Sequence, residues 1–169
     1  MSSPLQTILL ENLAFTRERL MDIISKFPEE QAVFQVCPTD CHLLWTLGHL
    51  AVTDIWLLGA LNPDGPGITV PEAWNQLFSF GSTVSTEATD YPPLEALRER
   101  FHATHEVFCT FIASLDDNAL MDDAPAARSN GFVPNAARGS AIKAWHEGWH
   151  AGQLSSLRKA LGLGSAFAG

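Results

Sequence analysis

The stretch "LLWTLGHLAVTDIWLLGAL", residues 43–61, is apolar on nearly every side when wound as a helix. Leu43, Leu44, Trp45, Leu47, Leu50, Val52, Ile55, Trp56 and Leu57 leave no polar face wide enough for a surface helix. Such a helix has to be buried on several sides, so the rest of the chain must wrap it. Thr39 or Asp40 stands where an N-cap would start it, and the pattern runs to Leu61.

Three other segments have the periodicity to do the wrapping. Residues 4–27 place Leu5, Ile8, Leu9, Leu13, Leu20, Ile23, Ile24 and Phe27 mostly on one stripe, with Ser3 as cap and Pro4 in the first helical position. Residues 93–115 carry a near-heptad seam of Leu94, Leu97, Phe101, Thr104, Phe108, Phe111 and Leu115. Residues 136–161 end with Arg158 and Lys159 in the last turn and Gly162 just beyond. Four amphipathic helices in a chain of 169 residues predict an all-α, single-domain helix bundle spanning residues 1–169. A long loop separates the second helix from the third, and its "PEAWNQLF" predicts a short helix that supplies Trp74 and Phe78 to a cavity wall. Residues 116–135 read as a second long connection with a turn at Asn130-Gly131.

Charge narrows the function classes. A formal net charge of −9 with no basic stripe argues against nucleic acid and against an anionic membrane surface. No uncharged apolar stretch reaches about 18 residues, and the N-terminus lacks a signal-peptide pattern. Cys37, Cys41 and Cys109 form neither a disulfide framework nor a CxxC pair, which predicts a reduced, cytoplasmic protein.

The histidines carry the chemistry. In "AWHEGWHAGQ", His146 and His150 lie about 40° apart on one helical face, as two ligands from one helix must. His49, mid-helix in "LGHLAV", is the best third ligand, and Gly48 beside it lets a neighbour come close. The plain alternative for His49 is a core histidine hydrogen-bonded to a carbonyl or carboxylate. His42 lies about 10 Å from His49 along the axis, too far to share a first shell. His102 and His105 read as partly exposed surface residues. "HEGWH" also satisfies the zinc-peptidase pattern HExxH, with Glu147 as base. Only 19 residues follow His150, none of them His, Asp or Glu, and no convincing strand accompanies the motif. The peptidase reading is therefore the weakest.

"LLWTLGHLAVTD", followed about a hundred residues later by "HEGWHAGQLSSLRKALGL", resembles the DinB/YfiT-like superfamily of metal-binding four-helix bundles. The likeness extends over nearly the whole chain, including "FPEEQAVFQVCPTDCHLLW" and the segment around Trp74–Gly81. It implies His49, His146 and His150 as ligands of a divalent metal, zinc or nickel first, iron or manganese next. It implies activities of the thiol-dependent S-transferase kind, with a low-molecular-weight thiol among the small-molecule substrates, and pairing into a homodimer. A hydrolase fits the same site. Three neutral ligands leave the metal charge uncompensated and lower the pKa of a bound water or thiol. Glu147 is the candidate catalytic residue, as a base acting through water, with an ordinary surface or helix-pair glutamate as the alternative. Asp54 is expected to orient a histidine ring and Gln153 to face the cavity. Trp45, Trp56, Trp145 and Trp149 are expected as core packing. The competing reading is a non-catalytic bundle with a structural metal.

Overall fold

The structure, a computed structural model, describes residues 2–166 and is all-helical, with no strand among them. Its α-helices in order are α1 (Pro4–Ile24), α2 (Leu43–Leu61), α3 (Glu72–Phe78), α4 (Leu94–Ser114), α5 (Asp117–Met121), α6 (Ala124–Arg128) and α7 (Ala136–Ala160). Helix α1 packs on α7 and α4, and α2 packs on α4, α7 and α3. By length and composition α2 is apolar enough to cross a membrane, yet most of it is buried inside the protein.

The predicted spans hold to within a few residues, but one cap differs. Helix α2 starts at Leu43, and its N-cap is His42, whose Nδ1 accepts the Trp45 N–H at 3.2 Å. Asp40 instead accepts the Cys37 N–H at 2.8 Å, in a turn that ends before the helix begins. The His42 Nε2–H donates to the Ser85 carbonyl at 2.8 Å, so this ring ties the helix start to the loop that follows α3. Asn130 and Gly131 both have positive φ, 53° and 81°, as the predicted turn requires. No strands flank the turn, and α5 and α6 occupy the rest of that connection.

Helix ends leave carbonyls without intrahelical donors, and side chains from distant segments satisfy several of them. Gln6 Nε2 donates to the Ala113 and Leu115 carbonyls at the end of α4, at 2.9 and 2.7 Å. The Arg128 guanidinium donates to the Ala60 and Leu61 carbonyls at the end of α2, at 2.7 and 2.9 Å.

The apolar interior divides in two. One cluster holds Leu20, Ile24, Leu47, Leu50, Phe78, Leu97, Phe101 and Leu154 among others. The second holds Leu13, Leu57, Leu61, Phe108, Ile112 and Val133 among others. Between them, one residue or more from each long helix is buried and polar: Arg17, Asp54, Thr104, and Lys143 with Glu147.

Candidate metal centre

His49 lies near the middle of α2, His146 and His150 one turn apart on α7, and the α2–α7 contact brings the three rings together. His146 Nε2 is 3.1 Å from His49 Nε2 and 3.1 Å from His150 Nε2. One ligand nitrogen from each residue lies within 4.8 Å of the other two. His49 and His150 are buried and His146 is partly exposed.

The surroundings set each ring's protonation. His49 Nδ1 lies 2.6 Å from the Phe78 carbonyl, which can only accept, so Nδ1 carries the proton and the Nε2 lone pair faces the cluster. Burial pushes the His49 pKa down, against the pull of that carbonyl. Burial, then repulsion between protonated forms of His49 and His146, then Lys143, bring His146 down to about 4. Burial, then His146 and His49, bring His150 down to about 3. Gln153 works in the opposite direction on His150. His150 Nδ1 and Gln153 Oε1 are both buried without a hydrogen-bond partner among the described residues.

This donor set fits a divalent cation. The proton on Nε2 of a neutral His146 ring would satisfy only one of its two close neighbours, so without a cation at least one ring nitrogen of the three is left without a partner at short range. Tetrahedral ligation at the usual zinc–nitrogen length of about 2.0–2.1 Å sets ligand nitrogens roughly 3.3 Å apart. The observed 3.1 Å is close to that spacing. Among the described residues no carboxylate joins the set, so its ligands are all neutral.

The remaining candidates sit in the charged layer next to the histidines. Glu147 is buried rather than on the surface. Its Oε1 accepts from Arg17 Nη2 at 2.7 Å and Lys143 Nζ at 2.6 Å, with His105 Nδ1 at 3.7 Å. Burial alone would raise its pKa; Lys143, the His105 contact and Arg17 outweigh that and hold the carboxyl well below the ordinary range. Asp54 spends both oxygens on Lys143, at 2.7 and 2.6 Å, and Oδ2 also accepts from Thr104 at 3.2 Å. It bonds a lysine where a histidine ring was expected. His105 is partly exposed, as expected, but its ring nitrogens face inward, Nδ1 at 3.7 Å from Glu147 Oε1 and Nε2 at 3.4 Å from Cys109 Sγ.

Of the four tryptophans expected in the core, Trp45 is buried, stacked on His49 with ring centroids 4.4 Å apart. Trp56, Trp145 and Trp149 are 48%, 63% and 56% exposed, because they stand on the outer faces of α2 and α7. Periodicity did not reveal Arg17, Lys143 or the Phe78 carbonyl as neighbours of the site. The first two had a signal, since each is a cation on a stripe that otherwise turns inward.

An all-helical protein in which α2 and α7 join three imidazoles defines a class of candidate metal-binding helical proteins. The family model of the DinB superfamily matches residues 12–154, and the chain belongs to that superfamily. No curated protein matches it.

Proposed function

We propose that this protein is a metal-dependent enzyme of the thiol S-transferase or hydrolase type. In this reading α1, α2, α4 and α7 form the four-helix bundle, and His49, His146 and His150 hold one divalent ion, zinc or nickel before iron or manganese. The observation that carries it is the convergence of three ring nitrogens with no carboxylate among them. A divalent ion in such a site supplies a Lewis acid of undiminished charge, with room for a further donor, and favours the anionic form of a thiol or water.

The chain's own residues do the rest. The Phe78 carbonyl keeps the His49 proton on Nδ1, and in this reading Gln153 would do the same for His150. Trp45 covers one face of the His49 ring and shuts water out there. Glu147 has Oε1 committed to two cations, which weighs against the peptidase role of a free general base. A low-molecular-weight thiol remains the proposed co-substrate, and a cytoplasmic homodimer the proposed form. The exposed Trp145 and Trp149, ring centroids 5.7 Å apart on α7, are the residues a pairing face would cover.

The burial of His49 and His150 favours one second reading, a metal that only stabilises the bundle. Elemental analysis separates these from a metal-free protein. Wild type is expected to carry one divalent ion per chain, and His49→Ala to lose it while keeping its helical circular dichroism. A screen of the loaded protein with thiols and electrophiles then tests catalysis. Turnover that disappears in His49→Ala supports the enzyme, and full metal occupancy without turnover on any pair supports the structural metal.

A further inference from the structure

The segment after α2 reaches the histidine cluster without contributing a side-chain ligand. Helix α3 ends at Phe78, whose carbonyl is among the last in the helix and has no donor from within it. The His49 Nδ1–H fills that vacancy at 2.6 Å, in a buried position. One residue earlier, the Leu77 carbonyl accepts from the Trp45 indole Nε1–H at 3.1 Å, and Ser82 Oγ accepts from the same N–H at 2.9 Å. Ser82 Oγ in turn donates to the Leu77 carbonyl at 2.8 Å. The turn at residues 77–82 therefore holds His49 by its edge and, through Trp45, by its face. Gly48 makes the approach possible, since a Cβ there would stand 2.4 Å from the Phe78 ring.

We propose that α3 and the turn after it are a positioning element of the metal centre, acting on His49 through the Phe78 carbonyl and on its ring face through Trp45. The inference rests on the three-histidine metal reading. Its physical basis is reciprocal. A carbonyl on Nδ1 fixes the tautomer and aim of the ligating Nε2, and a cation on Nε2 makes the Nδ1–H a stronger donor. Metal occupancy and the ordering of residues 72–82 must then be coupled by the same free energy in both directions.

The test uses Co(II) as probe on the full chain. Hydrogen exchange of the wild type is measured with and without Co(II), and Gly48→Ala is compared with wild type for Co(II) affinity, d–d spectrum and melting temperature. The double variant Gly48→Ala/Phe78→Ala removes the ring that the new methyl would strike. Expected are slower exchange across residues 72–82 on loading, at least tenfold weaker Co(II) binding with an altered spectrum in Gly48→Ala, and partial recovery of both in the double variant. Wild type that binds Co(II) with unchanged exchange at 72–82, or Gly48→Ala with wild-type affinity and spectrum, overturns the coupling and leaves the metal reading standing. Wild type that binds no Co(II) overturns both. Should Gly48→Ala fail to fold, the exchange measurement on wild type decides alone.

Discussion

His146 Nε2 lies 3.1 Å from two other ring nitrogens, and protonating either His146 or His150 would place a charge in a buried, crowded spot. The folded protein therefore holds these rings neutral down to about pH 4 for His146 and about pH 3 for His150. In the unfolded chain they take up protons near their ordinary 6.5. As pH falls from 6.5 toward 4, the unfolded state binds protons that the folded state refuses, so the metal-free protein loses stability across that window. Above pH 6.5 these groups contribute their full share. Glu147 acts in the same direction at lower pH, because its depressed carboxyl adds stability above its unfolded pKa and loses it as pH falls further. Urea midpoints of the metal-free protein at pH 7, 5.5 and 4.5 are expected to decline in that order. A flat profile would mean that the rings are not packed against one another. His146 and His150 were legible because ligand spacing on a helix is a local property, whereas His49 rested on its mid-helix place in an apolar segment and on the family resemblance. The Phe78 carbonyl was not legible, because a backbone acceptor leaves no mark in the sequence.

At the scale of the helices, the buried charges on α1, α2 and α7 decide how these elements fit. Arg17 and Lys143 face Asp54 and Glu147, two cations against two carboxylates, and the Arg17 guanidinium also lies 3.5 Å over the Phe101 ring. Taking such groups out of water is costly, and their mutual contacts offset that cost only while all partners remain. Lys143→Met strips the cation from both carboxylates and is expected to destabilise by about 3–5 kcal/mol in urea denaturation. Adding Asp54→Leu to it is expected to recover part of the loss, since one stranded carboxylate goes with it. A double variant less stable than Lys143→Met alone would show that the layer stabilises the fold beyond its pairing. Helix spans could be read in advance because apolar periodicity is dense in α1, α2 and α4. Helix α7 was harder to orient. Its Lys143 and Glu147 point inward while Trp145 and Trp149 point outward, the reverse of what hydropathy alone prefers.

For the molecule as a whole, the site joins α2 to α7 directly and α3 to both through His49. A ligand that binds only the folded state stabilises it by mass action, about 2.7 kcal/mol at a hundredfold excess over Kd. For a domain of this size that corresponds to roughly 5–10 °C in melting temperature. Calorimetry of the protein with and without zinc is expected to show such a rise, and His49→Ala is expected to show little of it. An equal rise in His49→Ala would place the bound zinc elsewhere. The sequence by itself determined that the chain is helical, where its long helices lie, and which histidines share a helical face, because these depend on periods of a few residues. Only the tertiary structure decided that His49 meets His146 across about a hundred residues, that Glu147 faces cations, and that α3 closes over Gly48. Those facts depend on how helices rotate and pack against one another, and packing is settled by the whole set of side chains at once.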